Sequence, residues 1–253
     1  HAMAGERTML QDAVDRIVPI AATEDIFVSI GTQMVELVRD QLPDLAVDHL
    51  IVEPALRNTG PAVGLECALM EARYPGCTVA SLGSDLFIGR AGEFRRLLQV
   101  AEEAVNAHPD MLLVMGAKPS RAETGYGYIR KGAVLGNFRD EPVYRVEEFT
   151  EKPDVDRAQE YVQSGNYFWN INMFVWKAAT MLEMFARFEP QMYEVLMRIK
   201  TAAESNLEAE IIGAEYAQLP AGAIDKQVIE RADKVVVLEA MMNWGDIGSW
   251  AGL

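Results

Sequence analysis

Four short β-rich runs, Ile26 to Ile30, His49 to Val52, Thr78 to Leu82 and Met111 to Met115, alternate with longer segments whose apolar positions recur three and four apart. Those segments are Thr8 to Ile20, Thr32 to Leu42, Pro61 to Tyr74 and Glu93 to Ala107, punctuated by Gly31, Pro43, Gly60, Pro75 and Gly76. A strand followed by a helix-length crossover and another strand predicts a mostly parallel sheet with helices on both faces. After Pro119 the pattern shifts to strand-like stretches, Tyr126 to Ile129, Val143 to Phe149 and Met173 to Val175, followed by a long helical region from Lys177 to about Lys200. This middle part is read as an insertion that builds the second half of a cleft. No internal repeat or linker divides the 253 residues, so one α/β domain is expected.

Charge limits the partners. A net charge of −15 argues against a surface that tracks nucleic-acid phosphates, which needs clustered Lys and Arg. It leaves room for a nucleotide whose phosphates are neutralised by a divalent metal held on carboxylates. No apolar run approaches the roughly 18 residues of a membrane span, and the first residues lack the charged-then-apolar order of a signal peptide, so neither a span nor secretion is indicated. A soluble, cytoplasmic protein is therefore expected, with Cys67 and Cys77 as ordinary packed residues rather than a disulfide or metal site.

Four segments carry more polar chemistry than packing requires. Glu53-Pro54-Ala55-Leu56-Arg57-Asn58-Thr59-Gly60-Pro61 is a polar turn between a strand and a helix, the place where open α/β sheets put ligands. Asn58 or Thr59 serving as a plain helix cap explains the same letters. In Ser81-Leu82-Gly83-Ser84-Asp85 a strand ends on a carboxylate. Asp85 is either a turn residue or a metal ligand paired with Asp246, which sits between glycines in Gly245-Asp246-Ile247-Gly248.

The third segment, Gly116-Ala117-Lys118-Pro119 followed by Glu123-Thr124-Gly125-Tyr126-Gly127-Tyr128-Ile129, suggests a ligand lying against the backbone, although a β-bulge reads alike. In the fourth, Glu151 and Lys152 are neighbours whose side chains diverge in an extended strand unless Pro153 bends the chain. Its partner run, Phe168-Trp169-Asn170-Ile171-Asn172, places Asn170 among aromatic and apolar residues, where its amide must find partners such as a sugar hydroxyl.

Taken in order, these residues resemble the mannose-1-phosphate guanylyltransferases within the sugar nucleotidylyltransferases. The matches are Glu53-Pro54 with Arg57-Asn58-Thr59, Ser84-Asp85, Lys118-Pro119, Thr124 to Ile129, Phe149 with Glu151-Lys152-Pro153, and Trp169-Asn170. Ile224-Asp225 with Glu230, and Trp244 with Asp246 and Gly248-Ser249-Trp250, complete the set.

The resemblance implies a Rossmann-like three-layer nucleotidyltransferase domain with a mixed, mostly parallel central sheet. It implies GTP and mannose 1-phosphate as substrates, GDP-mannose and pyrophosphate as products, and Mg²⁺ as cofactor. Asp85 and Asp246 would hold the metal and, with Lys152, carry catalysis. Glu53, Arg57, Asn58 and Thr59 would meet the nucleotide, and Tyr126, Gly127, Glu151, Lys152 and Asn170 the sugar phosphate. A homodimer is compatible with this reading.

Several departures qualify the transfer. Gly83, Leu86 and Asn172 stand where the family usually has Pro, His and Gly. The family's Gly-rich loop of the form G-G-x-G-x-R-L-x-P is not among these residues, nor is a C-terminal β-helix; the expectation is that upstream residues precede His1. Two other readings stay open: transfer of another base or to another hexose 1-phosphate, and a sugar-nucleotide-binding homologue without turnover. A nicotinamide-dependent Rossmann enzyme is disfavoured, since no G-x-G-x-x-G follows a strand.

Overall fold

The computed structural model describes residues 7–205 and 207–246, the side chains of residues 208 and 246 excepted. The chain begins with α1 (Met9–Ile17), capped by Thr8: its hydroxyl accepts from the Gln11 amide, and the Gln11 side chain accepts from the Thr8 amide. β1 (Val28–Gly31) leads through a 3₁₀ turn, Thr32–Met34, into α2 (Val35–Gln41), and β2 (Leu50–Glu53) returns parallel to β1. The third expected helix is α3 (Thr59–Arg73), with nine buried residues from Gly60 to Met70. A helix apolar on most sides belongs inside the molecule, which accounts for its weak amphipathic signal.

β3 (Thr78–Leu82), β4 (Leu86–Ile88), α4 (Ala91–Ala107) and β5 (Leu112–Ala117) follow. A long hairpin then forms from β6 (Gly127–Phe138) and β7 (Glu141–Glu151). Its two turn residues, Arg139 and Asp140, both have positive φ, 47° and 66°, the handedness that matches strand twist in two-residue hairpins. Arg139 also reaches back to α4, with its guanidinium 2.7 Å from Gln99 Oε1 and 3.2 Å from Glu103 Oε2.

Next come α5 (Val155–Ser164), β8 (Tyr167–Lys177), α6 (Ala178–Phe188) and α7 (Pro190–Ala203). The long helical region expected from Lys177 to about Lys200 is built as two helices. Glu189 leaves the helical region at φ −133°, ψ 60°, because the ring of Pro190 crowds the residue before it, and Pro190 then starts a new helix. α8 (Glu208–Glu215), α9 (Ile224–Gln227), β9 (Val235–Glu239) and β10 (Trp244–Asp246) complete the described elements.

Six strands form the main sheet in the order β3-β8-β5-β9-β7-β6, with β8 also pairing β6. The sheet is mixed, as expected, but antiparallel pairing dominates it: only β5 and β9 run parallel, whereas β3–β8, β5–β8, β6–β7, β6–β8 and β7–β9 are antiparallel. The physical reason is the tight β6–β7 turn, which reverses the chain where a helical crossover would have preserved its direction.

Side chains alternate cleanly across this sheet. Leu112 and Val114 of β5 join Val235 and Val237 of β9 in a core beneath α3, α6 and α7. Leu113 and Met115 join Val236 and Leu238 in a second core beneath α4. Two helical layers around a twice-covered sheet are the expected three-layer arrangement. Cys67 is buried in the first core and Cys77 lies at its margin, both as free thiols.

Among the described residues β1 pairs only with β2, and β3 only with β8. The other edges of β1 and β3 line one cavity of about 1060 Å³. Ile17 of α1 with Phe94 and Leu98 of α4 line it from the second core, and Ile51 and Met70 from the first. No helix of the described residues is long and apolar enough to cross a membrane.

Candidate active site

The polar turn after β2 is built as an anchored helix start. Asn58 takes the left-handed side of φ at 68°, and its side-chain oxygen accepts from the Thr59 amide 2.8 Å away, capping α3. With ψ at −178° this is a backbone conformation otherwise kept almost to glycine, so the turn holds Asn58 under strain. The turn is bound along its length to the segment from Tyr216 to Gln227. Tyr216 Oη donates to Glu53 Oε2 at 2.5 Å, the Arg57 guanidinium donates to the Ala217 carbonyl, and the Gly222 amide donates to the Arg57 carbonyl at 3.1 Å. Gly60 donates to the Gly222 carbonyl at 2.8 Å, and Ile224 to Thr59 Oγ1 at 2.9 Å. Burial pushes the Glu53 carboxyl up, while the Tyr216 hydrogen bond pulls it back. Glu53 is therefore occupied internally, and Asn58 and Thr59 hold the turn's shape.

The Gly127, Glu151 and Asn170 segments converge through strand register. Gly127 of β6 lies opposite Glu151 of β7, and Tyr128 opposite Trp169 of β8. A Cβ on Gly127 would come 2.6 Å from Glu151 Oε2 and 3.3 Å from Asn170 Cβ, so only glycine leaves these two side chains room. The chain bends at Lys152, where φ is 52°, directly before Pro153. That bend brings Lys152 Nζ to 3.2 Å from Glu151 Oε1 although the two are adjacent in sequence. A non-glycine residue held at positive φ is a local strain of the kind that collects at functional sites.

Asn170 is buried and donates from Nδ2 to Asp225 Oδ1 at 2.8 Å, while its Oδ1 accepts from the Asn172 amide at 3.2 Å. Asn172 has φ 53°, a position that suits glycine and, next best, Asn. Burial, then the charges of Glu151 and Glu230, push Asp225 up to about 6, against the pull of the Asn170 amide. Glu230 Oε1 accepts from the Glu151 amide at 3.0 Å and pairs with Lys226 Nζ at 3.0 Å. Carboxylates, a buried amide and two ammonium groups thus surround a backbone stripped of side chain at Gly127, a lining able to bond several hydroxyls and an anion at once.

Asp85 is exposed between β3 and β4, and β4 pairs antiparallel with β10 so that Leu86 lies opposite Asp246. The register therefore brings Asp85 and Asp246 to the same end of a short ladder, though they are far apart in sequence. The side chain of Asp246, and residues 247–250 of the matched motif, lie outside the described residues. The described residues contain no group of three or more His, Cys, Asp or Glu able to hold a metal. Two carboxylates suit magnesium, which keeps waters and phosphate oxygens in most of its positions. Next to this ladder Tyr126, Trp169 and Trp244 pack edge to face, with centroids 5.3 Å and 5.6 Å from Tyr126 to each indole. Lys118 is exposed just past β5.

Sequence reading missed Tyr216 and Gln227. Gln227 fills the angle between Gly60 and Gly222, 1.7 Å from where a Cβ on Gly60 would stand. The turn before α9 carries one signal that was readable, a glycine close behind Pro220 in Leu219-Pro220-Ala221-Gly222; nothing in the letters identifies Tyr216 as a partner for Glu53, 163 residues away.

Comparison with known proteins agrees with this geometry. Mannose-1-phosphate guanylyltransferase RfbM of Salmonella typhimurium is 34% identical over 98% of this chain and 52% of its own length. Mannose-1-phosphate guanylyltransferase of Escherichia coli K12 is 31% identical over 99% and 53%. The chain thus spans about half the length of these curated relatives. A solved structure described as a mannose-1-phosphate geranyltransferase from Thermus thermophilus superposes with a TM-score of 0.83 at 32% identity, covering 96% of this chain and 67% of that one. Residues 2–253 match the nucleotidyl transferase family, and the chain belongs to that family.

Proposed function

We propose that this chain forms the catalytic domain of a mannose-1-phosphate guanylyltransferase. A phosphate oxygen of mannose 1-phosphate attacks the α-phosphorus of GTP in line; the bond from that phosphorus to the β-phosphate oxygen breaks, leaving GDP-mannose and pyrophosphate. Family membership and the names of its relatives support the reading. The observation that carries it is the convergence of Gly127, Glu151, Lys152 and Asn170 beside a helix-capping polar turn.

Such a transfer asks little covalent chemistry of the protein; positioning and charge compensation set the rate. Asn58 and Thr59 hold the turn after β2 in the shape that meets the nucleotide. Glu151 and Asn170 orient the sugar hydroxyls, and the exposed ammonium of Lys152 binds the sugar phosphate as a mobile point charge. Asp85 and Asp246 would hold Mg²⁺, which supplies compensation for charge on the phosphates. A cytoplasmic location fits the two free thiols.

The test is pyrophosphate release with Mg²⁺ and mannose 1-phosphate, comparing GTP with ATP, CTP and UTP. Release selective for GTP supports the proposal; equal or greater release with another nucleotide sinks it. One observation favours a second reading, transfer to another hexose 1-phosphate: the side chain of Asn172 stands beside Asn170, where the resembled family usually has none. A panel of hexose 1-phosphates separates the two.

A further inference from the structure

We propose that Tyr216 is a positioning residue that couples the nucleotide half of the site to the sugar-phosphate half by fastening the turn after β2 to the Tyr216–Glu230 segment. The inference rests on the assignment of those two halves under Proposed function.

Tyr216 is fully buried, so its hydroxyl touches no ligand; its bond to Glu53 lies beneath the turn. Glu53 is also buried, and pulling it away would leave a carboxylate and a phenol without partners, a cost that keeps both in place. The segment that begins at Tyr216 then serves both halves. Ile224 donates its amide to Thr59 in the nucleotide turn, and the next residue, Asp225, accepts from Asn170 in the sugar pocket. Five residues further on, Glu230 accepts the amide of Glu151. Neighbouring backbone positions on one short helix, α9, therefore fix residues of opposite halves. A displacement of the turn relative to α9 must move the Asn170–Asp225 pair or break the Thr59–Ile224 bond. Two ligands that each hold the same segment in place favour one another, which is a coupling free energy between sites.

The experiment measures dissociation constants for an unreactive GTP analogue and for mannose 1-phosphate, each alone and in the presence of the other. A GTP analogue with a methylene group in place of the oxygen between the α- and β-phosphorus has no bond there that the sugar phosphate can displace, so with mannose 1-phosphate it gives a pair that cannot turn over, and the fluorescence of Trp169 and Trp244 in the site wall reports binding. In the parent protein the analogue should tighten mannose 1-phosphate. Tyr216→Phe removes one hydroxyl and keeps the ring. It should weaken guanine-nucleotide binding by roughly 5- to 30-fold and bring the coupling factor close to one. Glu53→Gln should do the same, and the double variant should lose no more than either single one, as expected of two ends of one bond.

A Tyr216→Phe protein with a lowered Tm but unchanged affinities and coupling would show a merely structural tyrosine and overturn the proposal. Should that variant fail to fold, Thr59→Val removes the acceptor for Ile224 and must also abolish coupling; intact coupling there overturns it equally. A parent that binds a different nucleotide, with coupling lost in Tyr216→Phe, refutes the guanylyl reading while supporting this inference.

Discussion

Asn170 Nδ2 and Asp225 Oδ1 lie 2.8 Å apart in a buried pair joining β8 to α9. Asp225 is pushed up to about 6 from the ordinary 3.8, mainly by burial. Because the folded state holds this proton more tightly, the unfolded chain ionises first as pH rises. The contribution to stability is then greatest below about 3.8, declines toward 6, and is flat above it. Asp225→Asn keeps an acceptor for Asn170 without the buried charge. It should raise stability at pH 8 by at most about 3 kcal/mol and remove this part of the pH dependence. Guanidinium chloride titrations of both proteins at pH 4, 6 and 8 check this, and an unchanged pH profile counts against it.

Glu66 behaves similarly from a different place. It is pushed up to about 7, chiefly by burial, although Ser81 donates to Oε2 at 3.3 Å and pulls it down. Glu66→Gln should therefore stabilise the protein above pH 7 and have little effect at pH 4. Thermal melts across that range would show a difference growing with pH; a constant difference would point to packing alone.

Gly60 has no room for a side chain. An added Cβ would stand 1.7 Å from Gln227 Oε1 and 2.8 Å from the Gly222 carbonyl oxygen, so both side chain and backbone must shift. Gly60→Ala should cost about 1–3 kcal/mol and weaken nucleotide binding, read by Tm and by GTP titration. Trimming the neighbour, in Gly60→Ala with Gln227→Ala, should recover part of the lost stability.

Asn172 makes a graded case. At φ 53° the backbone disfavours β-branched residues, so Asn172→Val should cost roughly 1–2 kcal/mol, whereas Asn172→Gly should stay close to the parent. Chemical denaturation orders the three proteins; Val as stable as Asn would contradict the strained backbone.

Asp85 is exposed, so Asp85→Asn should leave the Tm unchanged. Turnover should fall by about a hundredfold or more if this carboxylate holds the metal, and added Mg²⁺ should restore little of it. Retention of parental rates at ordinary Mg²⁺ would remove Asp85 from the metal site.

The helices and strands most legible in the letters were those whose period is set by a single covered face: α1 and α4 by apolar spacing, β3 and β5 by short apolar runs. β8 extends from Tyr167 to Lys177, well beyond the expected Met173 to Val175, because the bulky Phe168 and Trp169 and the polar Asn170 obscure a strand buried on both sides. β9, Val235–Glu239, was open to view as a continuous apolar run but has no alternation to mark it. Strand direction was misjudged where β6 and β7 reverse, since Arg139-Asp140 lacks the Asn-Gly or Asp-Gly signature of such turns. In the site, Gly127, Glu151 and Asn170 stood out locally, and the structure brings them together. The Glu53–Tyr216 and Asn170–Asp225 bonds join residues 163 and 55 positions apart, a distance over which one sequence holds no pairing signal.

All six residues of β5 are buried, and the strand is paired on both sides, antiparallel with β8 and parallel with β9. In deuterated solvent its amide protons have no small excursion through which to leave, so they should exchange only when the whole domain comes apart and report its global stability directly.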